Sequence, residues 1–381
     1  MKEIKYSRHY IDADDIKEVI KILKSDYLTQ GPTVAKFEKK ISEYCGSRYA
    51  VTANSATSAL HIACLALGLK KNDRVWTSSN TFVASANCAT YIGCNVELID
   101  IDLFTCNISL SFLKKKLKEA KKKFQLPKAL ITVHFAGNVD NQKEIWELSK
   151  KYNFKIIEDA SHSLGSSYQK NRVGNCRWSN ITVFSFHPVK TITTIEGGCA
   201  MTNNKVLSQK MNLFKNHGIE KKYHRFNCKN SSPFYYEQQA LGYNYRLSDV
   251  SAALGISQLK KIDLFVKKRN LIAKTYMEKL KYLPIEFQQI HKKTISSYHL
   301  IIMRVKTKKI RNKLFSFLDK KGIKLNIHYI PLFMHPFHKF KKQKNSLEHY
   351  ERSLSLPAYY SLTKKKQNII ISNIKKFFNG K

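Results

Sequence analysis

The stretch Phe154-Lys155-Ile156-Ile157-Glu158-Asp159-Ala160-Ser161-His162 reads as a buried strand that ends in a carboxylate. Working outward, similar short apolar runs recur at residues 49–52, 74–77, 95–101, 129–133, 181–185 and 198–202. Helical segments separate most of them. One spans residues 58–67, with Leu60, Cys64 and Leu67 on a single face. Strands and helices that alternate in this way predict an α/β fold with a mostly parallel central sheet, covered on both faces.

A second run, Phe184-Ser185-Phe186-His187-Pro188-Val189-Lys190, is followed by Thr193-Thr194-Ile195-Glu196-Gly197-Gly198. A lysine in an apolar stretch just before a glycine turn is poorly hydrated, so its ammonium form is disfavoured. The neutral amine is the form that makes a Schiff base with a carbonyl compound. Asp159 sits at the carboxyl end of its strand, the usual ligand face of such sheets. A lysine and a carboxylate so delivered are the protein groups that pyridoxal phosphate (PLP) chemistry needs. Between a strand and a helix, Asn54-Ser55-Ala56-Thr57-Ser58 offers backbone N–H groups and hydroxyls to an anion. Phe82 offers a ring face to a flat cofactor.

The composition narrows the class. A chain of 381 residues, 43% apolar, is long enough for two domains with sizeable cores. No apolar run approaches a membrane span, and residues 1–10 lack a signal-peptide core, so a cytoplasmic protein without membrane partners is expected. The eight cysteines form no C-x-x-C pair, which argues against a metal site or a disulfide framework. The net charge of +39 is unusual, yet its lysines are spread along the whole chain. The densest run, residues 114–123, carries Leu117 and Ala120 at helical spacing and reads as a solvated helix face. No nucleic-acid-binding signature accompanies it, so no nucleic-acid partner is expected. The excess charge favours anionic substrates.

Four regions follow from the pattern: an arm over residues 1–35, a large domain over 36–247, a long connecting helix over 248–281 capped by Ser248, and a smaller C-terminal α+β domain over 282–381. The last region is expected to hold a strand over residues 298–305 and helices over 309–320 and 367–378.

Taken together, Leu28-Thr29-Gln30-Gly31, Asn54-Ser55-Ala56-Thr57-Ser58-Ala59-Leu60, Glu158-Asp159-Ala160-Ser161-His162, Ser185-Phe186-His187-Pro188-Val189-Lys190 and Gly242-Tyr243-Asn244-Tyr245-Arg246-Leu247 resemble the DegT/DnrJ/EryC1/StrS family of PLP-dependent sugar aminotransferases. The resemblance covers nearly the whole chain. It implies PLP-dependent transferase fold type I, the aspartate aminotransferase-like architecture. It also implies a homodimer with each active site at the interface. Within the family the chain is most similar to members of pseudaminic acid biosynthesis. These aminate C4 of a UDP-linked 4-keto-6-deoxy-N-acetylhexosamine with L-glutamate. Aminotransferases for other nucleotide 4-keto or 3-keto sugars are the first alternative, and a non-catalytic basic binding protein, suggested by the charge alone, is the second. Related dehydratases carry histidine at the lysine position, so Lys190 argues against them.

By this resemblance Lys190 would carry the cofactor, Asp159 would pair with its pyridine nitrogen, and His162 would lie near its phenolic oxygen. Phe82 would stack on the ring, Ala56, Thr57 and Ser185 would hold the phosphate, and Asn244 would reach in from the second subunit. Ala56, Ser185 and Asn244 are also expected near the substrate. The remaining substrate contacts would come from Tyr6, from Asp26, Tyr27, Leu28 and Thr29, and from His328, Tyr329, Ile330 and Pro331. Ile195 stands where the family usually has a small residue, which bears on the turn after the lysine.

Overall fold

A computed structural model describes residues 3–228 and 232–380. Its centre is a seven-stranded sheet in the order Tyr49–Ala53, Gly198–Thr202, Ile181–Ser185, Lys155–Asp159, Ala129–Val133, Arg74–Ser78, Asn95–Ile99. The five strands from Ile181–Ser185 to Asn95–Ile99 are parallel, and Gly198–Thr202 runs antiparallel to both of its neighbours. Ala129–Val133 and Ile181–Ser185 are buried at every position, as befits strands covered on both faces. One face packs on the Ala56–Ala66 helix through Leu60, Ile62 and Ala63, and the other on Phe37, Phe184, Phe186 and Met201. The expected mostly parallel sheet is therefore present.

The smaller domain holds three antiparallel strands, Ile285–Phe287, Ile301–Val305 and Ser353–Leu356, packed against the Lys308–Lys320 and Lys364–Asn379 helices. Two exchanges blur the expected boundaries. Ile4, 1% exposed, lies in the core of this domain and bridges Ile323, so the start of the arm packs into it. Thr294–Ile295, in turn, pairs with Ser167–Tyr168 of the large domain.

The expected long helix is two helices, Asp249–Leu259 and Ile262–Leu280. At the break the Lys261 N–H bonds the Gln258 carbonyl, a three-residue step that ends the first helix. The Lys261 ammonium is held 2.8 Å from both Asp12 and Asp15, which fixes the change of direction. The strand expected over residues 298–305 begins only at Ile301. Tyr298 has a left-handed backbone (φ 44°), and Arg269 takes the carbonyls of both Tyr298 and His299, which withdraws them from the ladder. Among the described residues no helix is long and apolar enough to cross a membrane.

Candidate active site

The parallel strands deliver their carboxyl ends to a cavity of about 480 Å³ between the two domains. Asp159 ends its strand there, 6% exposed. Its Oδ1 accepts from the Ser161 N–H (3.1 Å) and Oγ (2.6 Å), and its Oδ2 from Ser85 Oγ (2.5 Å). Ser85 is itself steered by Thr81 Oγ1 at 2.7 Å. Three donors to one carboxylate fix the plane in which it faces the cavity.

Lys190 follows the neighbouring strand. Phe184 and Phe186 are fully buried, so the chain between them and the glycine turn is anchored and the lysine is carried to the cavity. Burial pushes its amine down to about 8, although the Asp159 carboxylate pulls the other way. Ile195 in the following turn adopts φ 72°, a conformation that costs a β-branched residue about 1–2 kcal/mol. Its N–H bond to Thr193 Oγ1 (2.9 Å) helps hold the turn.

At the third edge stands the N-terminus of the Ala56–Ala66 helix. Ser55 caps it, accepting from the Ser58 N–H at 3.0 Å. The N–H groups of Ala56 and Thr57 have no acceptor among the described residues, and both residues line the cavity. Gly198 makes this approach possible: a Cβ there would lie 2.5 Å from Ala56 N and Ser55 O. Ser185 lines the same edge.

His162 is buried among aromatic rings. The Ala136 N–H donates to its Nδ1 (3.2 Å), so the neutral ring carries its proton on Nε2 and donates it to Tyr329 Oη at 3.0 Å. Burial, with the Lys190 charge nearby, holds His162 well below the usual histidine range, while burial raises the Tyr329 phenol. Phe82 is 55% exposed at the cavity, its ring centre 6.0 Å from that of Tyr329.

Tyr6, Ala56, Thr57, Phe82, Asp159, His162, Ser185, Lys190, His328 and Tyr329 thus line one cavity, as the sequence led us to expect. Others do not line it within this chain. Asp26, Tyr27, Leu28 and Thr29 lie on the surface, where Thr29 bridges Ser248, and Asn244 is exposed and bridges Asn216. Ile330 points to solvent at 45% exposure, and Pro331 leads into the Leu332–Met334 turn. Sequence reasoning missed His299, Asn326 and Ser161, which also line the cavity, and Ser85 beneath it. Ser161 lay inside a quoted motif and could have been found there. Ser85 follows Phe82 by three residues and carried no signal of its own.

A lysine and a carboxylate at the ends of adjacent strands of this sheet, facing a smaller α+β domain, define a transferase of fold type I. The DegT/DnrJ/EryC1/StrS aminotransferase family model matches residues 9–375, and the chain belongs to that family. It is 39% identical over 369 residues to the UDP-4-amino-4,6-dideoxy-N-acetyl-β-L-altrosamine transaminase of Campylobacter jejuni, covering 95% of this chain and 94% of that one. It is 30% identical to the GDP-perosamine synthase of Escherichia coli O157:H7, with both chains fully covered. Helicobacter pylori PseC, described as an aminotransferase of pseudaminic acid biosynthesis, superposes with a TM-score of 0.91 at 32% identity over 100% of both chains.

Proposed function

We propose that this chain, with PLP in the Asp159–Lys190 cavity, moves the amino group of L-glutamate to C4 of a UDP-linked 4-keto-6-deoxy-N-acetylhexosamine. The product is UDP-4-amino-4,6-dideoxy-N-acetyl-β-L-altrosamine, in pseudaminic acid biosynthesis. The observation that carries this reading is the meeting of Lys190, Asp159 and the free Ala56 and Thr57 N–H groups at one cavity. Likeness to the Campylobacter and Helicobacter proteins over nearly the whole chain supports the sugar.

The residues present fit the cofactor. Two unsatisfied helix N–H groups beside Ser55 and Ser185 suit a phosphate. The Gly198 contact leaves no room for a side chain where the strand approaches that helix end. Asp159, its carboxylate oriented by three donors, suits a pyridine nitrogen. When bound, PLP supplies a carbonyl carbon for the amino group and a ring that accepts an electron pair.

The chain's own residues do the rest. Lys190 Nζ, neutral in appreciable fraction near pH 8, is the base that removes the proton from the amino-bearing carbon of glutamate and later returns one to C4 of the sugar. One lysine serves both halves, so ping-pong kinetics follow. His162 would lie beside the cofactor's phenolic oxygen, Phe82 would cover its ring, and Tyr6, His328 and Tyr329 line the rest of the cavity. The surface positions of Asn244 and of Asp26 to Thr29 fit a homodimer in which they serve the partner's cavity. A biosynthetic role of this kind suits the cytoplasm.

The test is spectroscopic. The purified protein with PLP is expected to absorb near roughly 420 nm. Glutamate should bleach that band, and the UDP-linked 4-keto sugar should restore it. Failure to bleach rejects transamination. Restoration by a GDP-linked keto sugar instead would favour the perosamine-type reading, which the 30% identical Escherichia coli relative keeps in play.

A further inference from the structure

The side of the cavity opposite Asp159 contains His299 and Asn326, which have no place in the scheme so far, beside the imidazole of His328. His299 is 4% exposed, its ring centre 4.3 Å from that of His162, and its Nδ1 is buried without a partner. Its backbone is clamped by Arg269, whose guanidinium donates to the carbonyls of Tyr298, His299 and Ala358. Asn326 Oδ1 accepts from the Ile327 N–H (2.8 Å), which leaves Nδ2 to face His328 Nε2 at 3.4 Å. His328 Nδ1 then donates to Ser355 Oγ at 2.7 Å.

What this wall lacks matters as much. Among the described residues lining the cavity, Lys190 is the only lysine and there is no arginine. Arg269 lies behind His299, with its Nη1 turned to the carbonyls of Tyr298, His299 and Ala358. Yet an amino acid with a carboxylate beside its reacting carbon must bind here, and afterwards a sugar ring that has no charge beside its own. A fixed guanidinium would suit the first and stand buried and unpaired against the second, a costly state. A neutral imidazole and an amide suit both. They donate to a hydroxyl as they are, and an imidazole beside a carboxylate gains a proton.

We propose that His299, with Asn326 and His328, recognises the α-carboxylate of the amino donor, and that His299 takes a proton from solvent with the amino acid and returns it when the sugar ring replaces it. This rests on the transamination reading above. Burial holds His299 well below the usual histidine range and His328 at about 3, and the Lys190 charge adds to both. The other groups facing the wall are Arg269 behind His299, His162 against its ring, His349 behind His328, and the carboxylates Asp159 and Glu196 on the cavity. A carboxylate bound against this wall, closer than those two, supplies an anion that reverses the burial effect.

The test is calorimetric and uses the PLP-loaded protein. Glutarate, which has the carboxylates of glutamate but no amine, is titrated in two buffers of different ionisation enthalpy. Uptake approaching about one proton per site is expected with glutarate and none with UDP-N-acetylglucosamine. In His299→Gln the uptake should vanish. Its KM for glutamate should rise about 10–100-fold while that for the keto sugar moves less than about 3-fold. No uptake in the unaltered protein, uptake that persists in His299→Gln and so belongs to Lys190, or equal weakening of both substrates would overturn the proposal. If His299→Gln fails to fold, Asn326→Ala must show the same KM split, and its absence overturns the proposal. Bleaching of the absorbance band by glutamate separates the two readings: with bleaching but no proton uptake, only the histidine wall falls.

Discussion

On the large-domain side of the cavity, Asp159 and Lys190 hang from the ends of two neighbouring strands, in register at Asp159 and Val183. Both carboxylate oxygens of Asp159 are engaged. On the facing side, His299 precedes one strand of the small domain and Asn326 bridges another at Ser355. There His299 Nδ1 is idle and the rings are neutral. The contrast follows from the work each side does. Proton transfer at a fixed atom needs a base and a counter-charge that do not move between half-reactions. Recognition of two unlike substrates needs donors that can change state.

Three experiments press on this division. The largest effect is expected from Lys190→Ala, which should lower kcat by at least about 10⁴-fold with either substrate, measured as single turnovers of each half-reaction. Loss of only one half would show that the two halves use different bases. Next comes Gly198→Ala. Its Cβ would press on Ala56 N and Ser55 O, both backbone atoms that cannot swing aside. PLP affinity should fall roughly 10–100-fold, and by equal factors whichever substrate follows, read by spectral titration. A substrate-dependent loss would mean that this edge also takes part in recognition.

The smallest effect concerns stability of the cofactor-free protein. Burial moves Lys190 from the ordinary 10.5 to about 8, so the folded state pays to hold it charged. The penalty, roughly 3 kcal/mol, is fully present below about pH 8 and disappears as pH rises toward 10.5, because the unfolded chain binds the extra proton in that window. Lys190→Met should therefore be the more stable protein at pH 7, and the two should converge by about pH 10.5 in denaturant titrations. A constant difference would show that the amine is not desolvated.

The same division explains what could be read from the sequence. The large-domain wall was legible because its residues travel in short runs: Asp159 closes a buried strand, and Lys190 follows another within the same apolar motif. The sheet was legible because each strand is a compact apolar run between helical periods. The facing wall was not. His299 stood inside what looked like a strand over residues 298–305, and only the Arg269 clamp on two carbonyls, contributed from a distant helix, breaks that pattern. Asn326 lies in an irregular stretch between Leu325 and Ile327, and its meaning depends on contacts with Ser355 and His328. The break at Lys261 likewise depends on two aspartates at the other end of the chain.

The N-terminal arm ties these parts together. Ile4 is bonded on both sides to the small domain, at Gly322 and Lys324, and Tyr6 receives the Ala358 N–H at 3.0 Å. One residue later Ser7 donates to the carbonyl of Val189, the residue before the reactive lysine, and Tyr10 is held by Gln258 of the large domain's last helix. One short strip of chain therefore touches both lobes within a single residue of the lysine, so whatever shifts the arm against the small domain also pulls on the backbone that carries Lys190.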